Sequence, residues 1–227
     1  IAWFQCVGSR DMNRCDNSHC SSVCCMYAIK EAVIAKEHAG DDLDCAVFYM
    51  DIRTPGKDFE RFYDSAREKH GIRFIRSRVH RVDPVQGTDD LEIRYVTESG
   101  ETVNEIFDMI VLSIGMETSP EIIKLAKKLR IDLTEGNFCQ TSSFAPVATS
   151  RKGIYVCGAF QGPKDIPDSV AQGAAAAACA LALATPVALA VGAGRFIEQG
   201  VLPLRMRALD ALACSDLFVF DKTGTLT

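Results

Sequence analysis

The sequence predicts an α/β fold: a parallel sheet flanked by helices, an antiparallel meander ahead of the last core strand, a second small module, and a helical, partly apolar tail. Three observations carry this. The apolar segments Ile1–Gln5, Cys45–Met50 and Met109–Ile114 are short and nearly continuous, as in parallel strands covered on both faces. An apolar stripe at helical period comes after each of the first two segments. Glu98-Ser99-Gly100-Glu101 lies between two strand-like runs and reads as a hairpin turn.

Taken in order, Ile1–Gln5 is the first strand and runs into Cys6-Val7-Gly8-Ser9-Arg10. A polar loop leads to a helix over about Ser22–His38, with Met26, Ile29 and Val33 as its buried stripe and Lys30, Glu31, Lys36 and Glu37 facing water. Cys45–Met50 is the second strand, and Arg53-Thr54-Pro55-Gly56-Lys57 makes a turn. Asp58–His70 is a helix with Phe59, Phe62 and Ala66 inward, ended by Gly71. Ile72–Ile75 is the third strand, Leu91–Thr97 and Thr102–Phe107 form the hairpin, and Met109–Ile114 returns to the core. Beyond Gly115 the second module holds a helix over Glu121–Leu129, a short strand Gly153–Gly158, and an Ala-rich helix from Ser169. The expected organisation is residues 1–115, 116–173 and 174–227.

The 227 residues suffice for one or two domains, and 48% hydrophobic residues provide a sizeable core. A net charge of −5 with mixed signs gives no basic stripe, which argues against a nucleic-acid partner. Of ten cysteines, five lie within the first twenty-five residues. No leader precedes them, so metal-bound thiols in a reducing, cytoplasmic compartment are favoured over a disulfide framework. The chain opens with Ile1 inside a strand and reads as part of something longer. Membrane contact is expected only through residues 174–191.

Cys6, Cys20, Cys24 and Cys25 occupy the strand-to-helix turn where a Rossmann-type unit places the glycine loop that holds pyrophosphate. Thiolates are soft ligands for iron–sulfur clusters or zinc. Placed on one helix, Cys20 and Cys24 would share a face with Cys25 about 100° round, and Cys6 would close the set from the strand. The spacing alone fits buried free thiols as well as a metal site. Cys15 is read as a loop cysteine or spare ligand, and Cys45 and Cys139 as packed or free thiols. Asp51 ends a strand where dinucleotide enzymes often keep a ribose-binding acid, but without a phosphate loop it reads as a turn residue, and no NAD(P) site is expected. His70 and His80 are isolated and read as surface or capping residues.

Cys6-Val7-Gly8-Ser9-Arg10, His19-Cys20-Ser21-Ser22-Val23-Cys24-Cys25, Phe48-Tyr49-Met50-Asp51-Ile52-Arg53 and Gly158-Ala159-Phe160-Gln161-Gly162-Pro163-Lys164-Asp165-Ile166-Pro167 resemble the A subunit of heterodisulfide reductase over about residues 1–173. The resemblance implies a Rossmann-like nucleotide domain of the pyridine-nucleotide-disulfide-reductase type carrying an inserted four-iron (4Fe-4S) cluster on Cys6, Cys20, Cys24 and Cys25. It also implies the returning part of an FAD domain, with Gly158, Ala159, Asp165 and Ile166 near the flavin. Where related thioredoxin reductases place an acid after the glycine, this sequence has Ala159, and no Gly-x-Gly-x-x-Gly turn occurs in the chain. The implied role is electron transfer with other heterodisulfide-reductase-type subunits and ferredoxin-like carriers. A zinc-stabilised, non-catalytic module is the alternative use of the same sulfurs.

The tail points elsewhere. Cys179-Ala180-Leu181-Ala182-Leu183-Ala184-Thr185-Pro186 resembles the metal-site membrane helix of heavy-metal P-type ATPases, with Ala177 and Ala178 where Cys-Pro would stand. Asp221-Lys222-Thr223-Gly224-Thr225 resembles their phosphorylation motif, which would make Asp221 the phosphoryl acceptor. Both likenesses are Ala-rich where they meet, so a joined, mis-assembled or truncated reading frame is expected, its seam between about Ala171 and Ala180.

Overall fold

The computed structural model describes residues 1–40 and 42–198, so Asp221 and its motif lie outside the described residues. The chain divides after Gly173. The α/β fold expected from the sequence is present: β1 (Ala2–Val7), α1 (Cys24–Ala39), β2 (Ala46–Tyr49), α2 (Phe59–Glu68), β3 (Arg73–Arg76), β4 (Arg81–Pro84), β5 (Leu91–Val96), β6 (Thr102–Phe107), β7 (Ile110–Ile114), α3 (Pro120–Leu129) and α4 (Ile166–Glu198). Four parallel strands stand in the order β3-β2-β1-β7, and β4-β5-β6 form a separate antiparallel sheet.

The central strands are apolar because both of their faces are covered. On one side Trp3, Val47 and Cys45 pack with Ala28, Ile29, Ala32 and Val33 of α1 and Ala66 of α2. On the other, Phe4, Ala46 and Phe48 meet Ile93, Tyr95 and Phe107 of the meander, and Phe48 takes edge-on contacts from Phe4, Tyr95 and Phe107. A third cluster, Ala126, Ile131, Cys139 and Val156, holds α3 to the segment that follows it. Ser119 caps α3 by accepting from the Ile122 N–H, with Pro120 at the first helical position.

Four local expectations are corrected. α1 begins at Cys24, because Ser22 has a left-handed backbone (φ 66°) that cannot continue a helix. Cys20 is therefore on the loop, and its expected helical alignment with Cys24 does not occur. Residues Gly153–Gly158 form no strand. Both end glycines have positive φ, and only an isolated Ala148–Tyr155 bridge remains. α4 starts at Ile166, three residues early, because the Asp165 carboxylate accepts the Asp168 N–H and caps it. The fourth difference is an addition: Arg81–Pro84 has no apolar alternation, and it is a strand only because β5 offers an edge. Among the described residues no helix is long and apolar enough to cross a membrane, so none there carries the expected span over 174–191.

Arg73 joins the two sheets. From β3 its guanidinium donates to Asp44 and to Glu105 of β6, and it lies 5.8 Å from the centre of the Phe107 ring. Glu105 in turn accepts from the Tyr95 hydroxyl at 3.1 Å. Arg73→Ala should lower unfolding free energy by about 1–2 kcal/mol, the figure being held down by the exposure of Asp44. The Arg73 guanidinium keeps the Asp44 carboxyl below its ordinary range. That contribution is full above the unfolded value of about 4 and is lost as pH falls through the lowered folded value. Urea unfolding between pH 3 and 7 should therefore show a shallower acid-side decline in Arg73→Ala than in the parent.

Candidate metal centre at the first strand–helix turn

The turn after β1 is coiled by left-handed residues at every second position: Cys6 (φ 60°), Gly8 (φ 71°) and Arg10 (φ 54°). For Cys6 and Arg10 this conformation costs on the order of 1 kcal/mol each, strain of the kind that clusters at functional sites. The β1–β7 register shifts between Phe4 and Val7, so the strand breaks where Cys6 stands. Gly8 and Gly115 cross so closely that a Cβ on Gly115 would lie 2.7 Å from the Gly8 carbonyl oxygen.

The loop from Arg10 to His19 closes on itself. The Arg10 N–H donates to the His19 carbonyl at 3.1 Å, and Asp11 bridges Asn17. Asn17 is buried; its amide donates to the Gly8 carbonyl at 3.0 Å and its oxygen accepts the His19 N–H at 3.1 Å. Ser21, fully buried, accepts the Met116 N–H at 2.8 Å, while the His19 ring Nε2 donates to the Met116 carbonyl at 2.8 Å. Both main-chain groups of Met116, just past β7, are thus taken by side chains of the thiol loop.

Cys6, Cys20, Cys24 and Cys25 surround this turn: Cys6 and Cys25 are buried, and Cys20 and Cys24 half-buried. Cys20 accepts a hydrogen bond from the Ser22 N–H at 3.3 Å, and the Arg10 guanidinium beside Cys6, the Ser21 hydroxyl beside Cys24 and the Arg53 N–H beside Cys25 each favour the anionic form of the sulfur they face. The α1 N-terminus has no side-chain cap, which leaves its free N–H groups and positive dipole end to the sulfurs of Cys24 and Cys25. Burial, reinforced by the neighbouring sulfurs, raises the Cys6 and Cys24 thiols and pushes Cys25 up to about 11. Metal-free, these three thiols stay protonated at neutral pH. Among the described residues no three His, Cys, Asp or Glu side chains converge closely enough to hold a metal ion as they stand. The chemistry of the set nonetheless fits a thiolate-ligated group: four soft sulfurs in electrostatic reach of one another, at an uncapped helix N-terminus.

Asp51 is more than a turn residue. Its two oxygens accept from Arg10 and, at 3.2 Å, from Arg53 Nε, while its carbonyl lies 3.9 Å from the Cys25 sulfur. Burial pushes its carboxyl up, but the two guanidiniums outweigh that and hold it below the ordinary range. Asn17, Ser21 and the two arginines were not legible in the sequence, because polar residues in a polar loop carry no periodic signal. Cys15 is exposed, whereas Cys45 and Cys139 are buried free thiols.

The second set of expected site residues lies apart from this turn. Gly158 (φ 72°) donates its N–H to Gln172 Oε1 at 2.8 Å and accepts from Lys164 Nζ at 3.2 Å. Ala159 and Ile166 are exposed, and the Asp165 carboxylate is engaged as the α4 cap. A flavin could meet backbone at Ala159 and the apolar Ile166, while the main-chain groups of Gly158 and the Asp165 side chain are already committed.

Residues 43–177, more than half of the chain, match the family model of pyridine nucleotide-disulphide oxidoreductases. A protein of Archaeoglobus profundus that is like the heterodisulfide reductase A subunit is 44% identical over 78% of the chain and 25% of its own length. The second iron–sulfur A subunit of the CoB–CoM heterodisulfide reductase of Methanopyrus kandleri is 42% identical over 78% of the chain and 27% of its own. The A subunit of the H2/formate:CoB–CoM heterodisulfide, ferredoxin reductase of Methanococcus maripaludis is 42% identical over 75% and 26%. The chain thus spans about a quarter of the length of these relatives. The family match ends at residue 177, and the expected P-type ATPase character of residues 177–227 finds no support in these likenesses.

Two substitutions probe the turn itself. Gly115→Ala must move the Gly8 backbone and should cost about 1–3 kcal/mol in denaturant unfolding. Asn17→Ala strands the half-buried Gly8 carbonyl and His19 N–H, and should cost about 1–2 kcal/mol while exposing the thiols to alkylation by a maleimide reagent.

Proposed function

The chain belongs to the pyridine nucleotide-disulphide oxidoreductase family, and from that premise we propose that it is an electron-transfer segment of a heterodisulfide-reductase-A-like iron–sulfur flavoprotein. Cys6, Cys20, Cys24 and Cys25 are its cluster ligands, and a four-iron, four-sulfide group is the form that suits four thiolates. The observation that carries this reading is the gathering of four cysteines, in electrostatic reach of one another, at an uncapped helix N-terminus in the place of a phosphate loop.

When bound, such a cluster supplies one-electron transfer without proton bookkeeping. The chain's own part is to hold and shield. Cys6 and Cys25 supply buried sulfurs, the α1 N–H groups and the hydrogen bonds to sulfur stabilise negative charge, and Asn17 and Ser21 keep the loop closed on Met116. Residues 116–173 then read as the returning part of an FAD domain, with Ala159 contacting the cofactor through backbone, Gly158 shaping the turn beside it, and Ile166 contacting it through its apolar side chain. Asp165 serves that contact indirectly, by fixing the start of α4. The partners proposed for the whole protein are other subunits of the heterodisulfide reductase type and a ferredoxin-like carrier, in the cytoplasm.

Anaerobic reconstitution of the full chain with iron and sulfide should yield a brown protein with about four iron and four sulfide per chain. Changing all four cysteines to serine should abolish that uptake, while Cys15→Ser should leave it intact. Tight binding of a single zinc ion with no sulfide would identify the zinc-stabilised module instead. Full iron uptake by the quadruple variant would refute the ligand assignment.

A further inference from the structure

We propose that Asp51 is a positioning residue: through one carboxylate it aims the guanidiniums of Arg10 and Arg53 at the four-thiol site, and so raises the reduction potential of the cluster held there. This rests on the cluster assignment above. The geometry is specific. Arg10 binds one carboxylate oxygen and Arg53 the other, so a single side chain fixes two cations that arrive from different elements of the fold. Arg10 follows β1 and is in electrostatic reach of the Cys6 sulfur, and Arg53 follows β2 and is in reach of the Cys20 sulfur. The Asp51 carbonyl itself lies against the Cys25 sulfur.

Folding does not account for the arrangement. The Asp51 side chain is 43% exposed and that of Arg53 47%, and ion pairs this open to solvent add little to stability. What the triad does supply is one net positive charge beside a group that four thiolates make anionic. One-electron reduction from an external low-potential donor adds a further negative charge and moves no proton. Cations held at fixed distance favour that reduced state, and the free-swinging arginines of an untethered loop, pulled out into water, would favour it less.

The sign of the effect separates positioning from simple charge. Asp51→Asn removes a negative charge, so Coulomb's law alone raises the potential; loss of positioning lowers it, because both guanidiniums are released. The experiment is an EPR-monitored potentiometric titration of the reconstituted full chain. The expected result for Asp51→Asn is a reduction equilibrium about tenfold less favourable, equivalent to 59 mV for a one-electron couple. Asp51→Glu should restore most of it, and Arg10→Gln, compared on protein loaded to the same iron content, should shift the potential in the same direction as Asp51→Asn. A potential that rises or stays put in Asp51→Asn overturns the inference. If Asp51→Asn loads no iron, Arg10→Gln decides alone, and an unmoved potential there overturns it equally. Parent protein that takes up no iron defeats the cluster assignment first, and this inference with it, whereas a loaded parent with unmoved variants defeats only this one.

Discussion

The backbone crossing of Gly8 and Gly115 is the constraint on which the thiol turn depends. β1 and β7 are parallel neighbours, and at their carboxyl ends the Gly115 N–H donates to the Val7 carbonyl at 2.8 Å. A side chain at position 115 would meet backbone rather than a flexible group, so the approach cannot relax around a larger residue. Because the strands leave the sheet this close together, Met116 arrives beside the thiol loop, and Ser21 and His19 can satisfy both its main-chain groups. The His19 ring also meets Phe138 edge-on, its centre 4.9 Å away. The strained backbone at Cys6 is sustained by this framework: left-handed residues persist where the surroundings fix the chain on more than one side.

A phosphate loop and a sulfur loop make opposite demands on the same turn. Phosphate brings its own charge and asks only for bare N–H groups, so glycine serves well. Sulfur ligands must lose protons to become useful, yet burial alone drives Cys6, Cys24 and Cys25 toward the protonated form. The turn offsets that penalty with donors: an open helix end, the Ser22 and Arg53 N–H groups, the Ser21 hydroxyl and the Arg10 guanidinium. Without a metal the sulfurs repel one another as anions and rest as thiols.

The parallel sheet could be read from the sequence because its strands are buried on both faces, and a continuous apolar run as short as Cys45–Met50 suits a covered strand better than a helix. The hairpin of β5 and β6 was equally plain from its Gly100 turn. What escaped was decided by tertiary context. β4 exists because β5 needed a neighbour, α1 starts late because of one left-handed serine, and the Gly153–Gly158 strand fails between two positive-φ glycines. At the thiol site the sulfurs themselves were legible, since cysteine clustering is a compositional signal. Their donors were not, because Ser21, Ser22, Arg10 and Arg53 find the sulfurs only through folding of separate segments.

The groups that face sulfur differ between the packed cysteines and the thiol turn. Cys45 and Cys139 are both buried, and their sulfurs lie against carbonyl oxygens, of Ala32 at 4.0 Å and of Gln140 at 3.8 Å. A carbonyl can only accept, so these contacts require the proton to stay on sulfur, and the residues act as small apolar groups with a weak donor. Around the first turn the Ser22 N–H donates to the Cys20 sulfur and the Arg10 guanidinium favours the anionic form of Cys6, so these sulfurs are prepared for negative charge. Cys25 stands between the two, its sulfur 3.9 Å from the Asp51 carbonyl although it belongs to the thiol turn. Burial above all pushes the Cys25 thiol up to about 11, and the carbonyl contact suits that protonated form, so Cys25 gains from a metal in place of its proton.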